Sequence, residues 1–487
     1  MIRPIALSLL LACGGAAFAQ EIPDRPEKLT FPAIEFKVPK AKDAKVVLKN
    51  RVPAYLVADP SGVPLVRVTV MWRGGAYLDP EGKAGLATLF GSQLVQGGTK
   101  SLDAAKLEDR LDALAATLAS STGDMHGSIS LLVQAQDLKE GMSLLMKALT
   151  EPAFDKDRLD LARRSARQGI ERRNDAVTSI AQTQLPRLTY GEGFFLAPHV
   201  TAASLDAIAR EDLAAFHERL VHPANLVVAA SGKFDRKQMT DLLNATLGSI
   251  KAGPNAEVSP KVPVPDFARK PGLYVVDKTA PQTTVQWVLP GLRRTDPDWH
   301  AAVVMNHILG GGGFVARLMK RIRSDEGLTY GVRTALSEGP YWRGDMTGGL
   351  QTKNRSTAFA MRIAIEEMQR LKSEPLSDEE LKSIKDGLIE SFPSQWAGRH
   401  ATAERFANEL LYGWPEDWWV DYRAKIQAVT VADVQRVAKK VLDLDQMIVL
   451  AVGKASEIEA GDPDHPGAFA EITKLPLARL PLRDPLT

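Results

Sequence analysis

Two stretches of this sequence, LDAIAREDLAAFHERLVHPANLVVAASGKF (residues 205–234) and IQAVTVADVQRVAKKVLDLDQMIVLAVGKA (residues 426–455), align with each other without a gap. Asp212 aligns with Asp433, and Gly232-Lys233 aligns with Gly453-Lys454. Each copy has the 3.6-residue periodicity of an amphipathic helix, followed by an apolar run typical of a buried strand. A repeat of this length indicates that the chain is a tandem duplication.

Shorter matches extend the repeat in both directions. Asp79-Pro80 and Asp296-Pro297 each precede a helical pattern, and Tyr190-Gly191 matches Tyr412-Gly413 at a slightly different offset. Strand patterns adjoin helical patterns in both halves, which predicts an α+β fold built from two homologous α/β sandwich halves in tandem. Five prolines in residues 251–272 predict an extended linker between the halves. The predicted boundaries are a signal peptide at 1–19, an N-terminal domain at 42–251, a linker at 252–272, a C-terminal domain at 273–456 and a C-terminal tail at 457–487.

The N-terminus and the composition limit the possible locations and partners. Residues 1–19 combine Arg3, an apolar run and small residues before Gln20, which predicts a secretory signal peptide and a periplasmic or secreted protein. The only cysteine, Cys13, lies within this segment, so the mature chain cannot use disulfides. The alternative is cleavage before Cys13, which would leave it as the lipidated first residue of a lipoprotein. The 61 basic and 59 acidic residues nearly cancel, which gives no reason to expect nucleic acid as a partner. No later apolar run is long enough for a transmembrane segment.

Two motifs suggest a family. KAGLATLFGSQLVQGGTKS (residues 83–101) lies in the first half, and ILGGGGFVARLMKRIRSDEGLTYGV (residues 308–332) lies in the second. With the duplication, they make the chain resemble the pitrilysin/insulinase-like zinc metallopeptidases, which include the mitochondrial processing peptidase. The resemblance covers nearly the whole mature chain and implies one half of a clam-shell peptidase.

The zinc ligands that this family uses are replaced here. Active members carry H-x-x-E-H in the first helix and a later glutamate as the third ligand. The resemblance places the two histidines at Thr88 and Ser92, the catalytic glutamate at Gly91 and the third ligand at Gln168 or Gly169. None of these side chains is an imidazole, thiolate or carboxylate, so we expect no metal and no other cofactor in this chain.

A displaced metal site has little support in the sequence. His217 and His222 are five residues apart, which places them about 140° apart around a helix. The remaining histidines of the mature chain have no ligand spacing: His126, His199, His300, His307, His400 and His465.

The second half keeps a different part of the family's pattern. In active members, an arginine and a tyrosine seven residues apart in the second half reach the catalytic site, and in small bacterial members a separate subunit supplies them. Arg323 and Tyr330 match that spacing and context. We expect Phe314, Leu318 and Ile322 to form the buried stripe of a helix that ends at Gly327. Arg323 would then lie in the last turn of this helix and Tyr330 on the following strand.

Three further motifs have alternative interpretations. The run Gly310, Gly311, Gly312 and Gly313 predicts a tight helix entry or, less favoured, a flexible loop that touches substrate. Arginines in residues 163–173 predict a solvated helix face or a site for acidic peptides. Aromatic residues in 412–423 predict the edge of a core or a binding platform.

Together these expectations describe a non-catalytic subunit of a hetero-oligomeric zinc metalloendopeptidase. Zinc would reside in a homologous partner that bears H-x-x-E-H, and the pair would enclose an unfolded peptide. Two alternatives remain: a structural scaffold without a catalytic contribution, and an autonomous peptidase with a displaced metal site.

Overall fold

The computed structural model describes Arg25 and residues 36–197, 200–266 and 269–487. The predicted signal peptide, Cys13 and His199 lie outside these residues. The described residues from Val38 onwards form one compact unit. No helix in the described part of the chain is both long and apolar enough to cross a bilayer.

The first sheet contains six strands in the order β1-β2-β6-β3-β5-β4. Strands β2 and β6 are parallel, and the other neighbours are antiparallel. The strands span Lys45–Val47 (β1), Pro53–Ala58 (β2), Leu65–Arg73 (β3), Thr117–Thr122 (β4), His126–Gln134 (β5) and Leu226–Gly232 (β6).

The second sheet has the order β12-β7-β11-β8-β10-β9, in which the five strands β7 to β11 repeat the arrangement of β2 to β6 and the edge strand β12 takes the place of β1. Here β7 is parallel to both β11 and β12. The strands span Gly272–Asp277 (β7), Gln282–Pro290 (β8), Val332–Leu336 (β9), Asp345–Lys353 (β10), Ile448–Gly453 (β11) and Leu477–Leu480 (β12). Because β12 pairs with β7, part of the segment predicted as a C-terminal tail belongs to this sheet.

In the described part of the chain, sixteen α-helices accompany the sheets. In the first half they are Ala41–Ala44 (α1), Leu86–Gln96 (α2), Ala104–Ala113 (α3), Leu138–Thr150 (α4), Lys156–Glu171 (α5), Val177–Tyr190 (α6), Ala202–Asp206 (α7), Arg210–Leu220 (α8) and Arg236–Ala245 (α9). In the second half they are Trp299–Asn306 (α10), Thr357–Ser373 (α11), Asp378–Ser391 (α12), Arg399–Tyr412 (α13), Tyr422–Ala428 (α14), Val431–Val441 (α15) and Ala455–Ala460 (α16). The predicted fold class, two homologous α/β halves in tandem, is therefore confirmed.

A tryptophan on the third-to-last strand of each sheet repeats the same packing. Trp72 on β3 lies opposite Gly127 of β5, and Trp287 on β8 lies opposite Gly348 of β10. A Cβ added to either glycine would lie within 2.4 Å of the indole ring. Both tryptophans are fully buried, so each sheet uses a glycine to admit the largest side chain of its core.

The two halves exchange one helix each. Helix α6 belongs to the first half in sequence but packs on β8 and β11 of the second sheet, where Ile180 and Ala181 contact Val276, Leu450 and Val452. Helix α13 belongs to the second half but packs on β2, β3 and β6 of the first sheet. Each sheet is thus covered partly by a helix from the other half.

The ends of the exchanged helices are anchored in corresponding ways. The Tyr190 hydroxyl at the end of α6 donates to the carboxylate of Asp345, the first residue of β10, which also pairs with Arg269 of the linker region. The Tyr412 hydroxyl at the end of α13 forms a hydrogen bond of 3.0 Å with Nδ1 of His126, the first residue of β5. Burial raises the pKa of Tyr190 and raises the pKa of Tyr412 to about 12, so both tyrosines stay protonated and can donate.

Candidate functional site

Helix α2 carries the positions at which the sequence resemblance places the zinc motif. Asp79 caps its start, because the two carboxylate oxygens accept hydrogen bonds from the backbone N–H groups of Gly85 and Ala87, each at 2.8 Å. Gly85 enters the helix with φ of 101°, a conformation that favours glycine. Among its neighbours are β4, α5 and α8, so the helix is fixed on the first sheet.

The three motif positions on α2 have different environments. Thr88 is exposed, and the half-buried Ser92 donates its hydroxyl to the carbonyl of Leu89 at 3.0 Å. Gly91 is buried against β4: a Cβ at this position would lie 2.1 Å from the backbone nitrogen of Thr122. The Ser120 hydroxyl also donates to the Gly91 carbonyl at 2.6 Å. The position of the catalytic glutamate is therefore closed to any side chain.

The remaining predicted ligand position lies on α5. Gln168 and Gly169 are both exposed, and a Cβ at Gly169 would meet no atom within 4 Å. Within the described residues, no group of three or more His, Cys, Asp or Glu side chains has the geometry to hold a metal ion. His217 binds the carbonyl of Leu149 and His222 binds the carbonyl of Glu257, so each ring is used in local packing.

The segment that carries Arg323 differs from the predicted helix. Residues 313–315 form a single 3₁₀ turn, and Met319–Asp325 form a π-helix that packs on α11 and β9. Leu318 and Ile322 are fully buried as predicted, but Phe314 is 71% exposed, so the expected stripe is wrong at that position. Phe314 lies in the separate 3₁₀ turn, so it does not share the buried face of Leu318 and Ile322 as it would on one continuous helix.

Among the described residues, Arg323 lacks an ion pair of the kind that its neighbouring arginines form. Arg317 forms a bidentate pair with Glu380, and Arg321 pairs with the buried Glu367 at 2.9 Å. Arg323 forms no ion pair with any described residue, and its guanidinium lies 4.7 Å from the centre of the Phe314 ring. The segment is held in place by its other arginines, which leaves this one available.

Tyr330 lies in the turn before β9 rather than on the strand, and 93% of its surface is exposed. The turn is nevertheless defined. Gly327 ends the helix with φ of 62°, as predicted, and the Leu328 N–H donates to the carbonyl of Ile322 at 2.9 Å. The Thr329 hydroxyl contacts both the N–H and the carbonyl of Gly331. These bonds present the Tyr330 ring to solvent.

The glycine run is packed for most of its length. A Cβ at Gly310 would meet Thr334, one at Gly311 would meet Asn306 and one at Gly312 would meet the carbonyl of His307, all within 2.7 Å. Only Gly313, with φ of 65°, faces open space. The first three glycines therefore allow close backbone packing in the π-helix at His307–Gly311 and beside it.

The aromatic residues of 412–423 surround a buried cation. The guanidinium of Arg294 lies 4.1 Å from the ring centre of Trp414 and 4.0 Å from that of Trp418, and it pairs with the buried Glu409 of α13 at 3.3 Å. Burial raises the pKa of Glu409 despite this cation. The aromatic residues of 412–423 thus surround a buried arginine, as expected if they form the edge of a core and not a binding platform. Sequence reasoning missed Arg294, because nothing local in RRTDP distinguishes it from a surface arginine.

Comparison with known proteins identifies relatives over most of the chain. Residues 56–195 match the family model described as insulinase (peptidase family M16), and residues 207–388 match the model described as peptidase M16 inactive domain. A Helicobacter pylori protein named non-peptidase homolog YmxG is 24% identical over 79% of this chain and 88% of its own length. An uncharacterized zinc protease from Streptomyces coelicolor is 23% identical over 73% of this chain and 78% of its own length.

Solved structures share the fold. The crystal structure of a peptidase M16 inactive domain from Pseudomonas fluorescens has a TM-score of 0.75 and 23% identity, covering 84% of this chain and 97% of that one. The periplasmic protease PqqL from Escherichia coli has a TM-score of 0.70 and 14% identity, covering 88% of this chain and 50% of that one. With both halves matched, the chain belongs to the insulinase (M16) family.

Proposed function

We propose that this protein is the non-catalytic, substrate-binding subunit of a hetero-oligomeric zinc metalloendopeptidase. A homologous partner that bears H-x-x-E-H would supply zinc and the general-base glutamate, and this chain would supply Arg323 and Tyr330. Zinc, when bound in the partner, would polarise the scissile carbonyl and activate water. The observation that carries the proposal is the contrast between the two motifs: Gly91 has no room for a side chain, whereas Tyr330 is exposed and the half-buried Arg323 has no ion pair with a described residue.

The chemistry of the pair suits such a role. Hydrolysis of a peptide bond places negative charge on the carbonyl oxygen, and fixed donors near that oxygen stabilise the transition state. Arginine is charged at every relevant pH, and the tyrosine hydroxyl can donate without adding charge. The turn bonds around Gly327 and Thr329 would hold the donors in place before substrate arrives.

The same proposal includes the substrate and the location. An unfolded peptide would lie along a sheet edge, where backbone hydrogen bonds give affinity with little sequence preference. The signal-like N-terminus of the sequence supports a periplasmic or secreted protein. The alternative is a lipoprotein that is attached to a membrane through Cys13.

Arg323→Ala and Tyr330→Phe test the proposal in the assembled complex. We expect each change to lower cleavage of an unstructured peptide by roughly 10²-fold, the size of the loss of one oxyanion donor. Lys320→Ala, at an exposed position of the same segment, is the matched control and should leave cleavage unchanged. Turnover that is unaffected in both test variants would remove Arg323 and Tyr330 from the catalytic role.

A further inference from the structure

A groove of about 580 Å³ opens on the second sheet beside α6. Thr178 and Leu185 of α6 form one wall, and the open face of β8, β9 and β10 forms the floor. Tyr330 lies on the rim, so the groove adjoins the residue proposed to complete the active site. Strand β9 is the last strand of this sheet, which leaves one of its backbone edges unpaired among the described residues.

Arg333 is the only charged residue among the described residues that line this groove. The other polar side chains there are neutral, including Gln282, Gln286 and Gln351, and no carboxylate lines the groove. Arg333 is exposed on β9, and its guanidinium has no hydrogen bond or ion pair with another described residue. The groove therefore combines one available positive charge with several neutral hydrogen-bonding groups.

The strand register leaves space in front of this arginine. Arg333 pairs across the sheet with Gly349 of β10, which pairs in turn with Gln286 of β8. These three residues form a row across the sheet. Because Gly349 has no side chain, the row has an open position between the Arg333 guanidinium and the Gln286 amide. A Cβ at Gly349 would lie 3.1 Å from the carbonyl of Val285, so a side chain there would fit only tightly.

We propose that Arg333 is a specificity-determining residue that binds a carboxylate of the substrate peptide in this groove. The carboxylate belongs to the peptide's C-terminus or to an acidic side chain, and the planar guanidinium binds it through two parallel hydrogen bonds. The glutamine and threonine side chains on the floor of the groove exchange hydrogen bonds with the substrate's peptide groups next to that carboxylate. The identification of the ligand as a peptide rests on the proposed function, whereas the requirement for a carboxylate rests on the groove alone.

Binding to the mature chain without any partner tests this inference. Three labelled peptides share one neutral, unstructured sequence: the first has a free C-terminal carboxylate, the second is C-terminally amidated, and the third is amidated and carries one internal glutamate. Fluorescence anisotropy gives the Kd of each. We expect the first or the third peptide, or both, to bind roughly tenfold more tightly than the second.

Variants assign the effect to Arg333. Arg333→Gln should abolish the preference for carboxylate and leave the Kd of the amidated neutral peptide unchanged, whereas Arg333→Lys should keep part of the preference. Arg67→Gln removes an exposed arginine from β3 of the first sheet and should keep the full preference. A preference for the free terminus alone assigns the site to C-termini, and a preference for the glutamate peptide assigns it to acidic side chains.

Equal binding of all three peptides would overturn the inference, and so would an equal loss in Arg333→Gln and Arg67→Gln. The assay contains no zinc-bearing partner and involves no cleavage. Its outcome is therefore separate from that of the proposed catalytic role of Arg323 and Tyr330.

Discussion

Gly91 leaves no space for the catalytic glutamate that the family resemblance places at this position. A Cβ at this position would lie 2.1 Å from a backbone atom of β4, and backbone moves less easily than a side chain. Restoring histidines at Thr88 and Ser92 would thus not restore the site, because the glutamate between them has no space. The packing of α2 on β4, and not only the identity of the ligand side chains, excludes the zinc motif from this helix.

Two glycine-to-alanine substitutions test this packing. We expect Gly91→Ala to lower the free energy of unfolding by about 2–3 kcal/mol, because the methyl group overpacks the contact between α2 and β4. Gly169→Ala, in the open on α5, should be neutral or stabilising by up to about 1 kcal/mol, since alanine favours the helix. Urea unfolding of both variants measures the difference. Equal stabilities would mean that α2 can move away from β4 and that the position is open after all.

His300 makes stability depend on pH. Its ring stacks on Trp418, and burial, with the nearby charges of Lys425 and Arg294, lowers its pKa from 6.5 to about 4. Between these two pKa values the unfolded chain binds a proton that the folded chain does not, so stability is complete above pH 6.5 and falls as the pH falls towards 4. From pH 7 to pH 5, this histidine alone costs about 2 kcal/mol.

Urea unfolding of the wild type and of His300→Gln at pH 7 and pH 5 isolates this contribution. Burial also lowers the pKa of His126, His217 and His307, so both proteins should lose stability in acid. The wild type should lose about 2 kcal/mol more than the variant. The same loss in both would show that His300 titrates normally in the folded protein.

At the scale of elements, the exchange of α6 and α13 explains how the halves hold together. Helix α13 carries Glu409, and the loop between β8 and α10 carries Arg294, which is enclosed by the tryptophans that follow α13. Both side chains are only 2% exposed. The buried Glu409 carboxylate is tolerated because the Arg294 guanidinium pairs with it.

A double-mutant cycle measures this coupling. Arg294→Met leaves the Glu409 carboxylate buried without its cation, and we expect a loss of about 3–5 kcal/mol in the free energy of unfolding. Arg294→Met combined with Glu409→Gln should recover part of that loss, because the uncompensated charge is gone. A double variant that is no more stable than Arg294→Met would show that the arginine acts through its packing on the tryptophans, and not through the ion pair.

The sequence predicts many of these elements but not their partners. The repeat correctly placed α8 with β6 and α15 with β11, since helical and strand periodicities are local properties. It did not reveal that α6 covers the other half's sheet, because an amphipathic face has the same pattern whichever sheet it meets. The π-helix at Met319–Asp325 was missed for a related reason: its backbone is set by the packing of Ile322 and by ion pairs to α11 and α12, not by local propensity.

At the scale of the whole molecule, the matching order of five strands in each sheet, β2 to β6 and β7 to β11, follows from the duplication that the sequence predicts. The different roles proposed for the two halves do not follow from the duplication. In the first half, α2 has no space for a side chain at Gly91, where the resemblance places the catalytic glutamate, while in the second half Arg323 is half-buried on the π-helix and Tyr330 is exposed in the turn that follows. Whether two surface residues act in catalysis depends on a second molecule, so one sequence predicts the candidate residues and not their use.

The proposed function requires this chain to complete the active site of a zinc-bearing partner. The most direct measurement is cleavage of a quenched, unstructured peptide by the mature chain alone and then by the chain mixed with increasing amounts of its H-x-x-E-H homologue. We predict no cleavage by the chain alone, and activity on mixing that saturates at a fixed ratio and is abolished by a chelator. Cleavage by the chain alone, or partner activity that the chain leaves unchanged, would contradict the account.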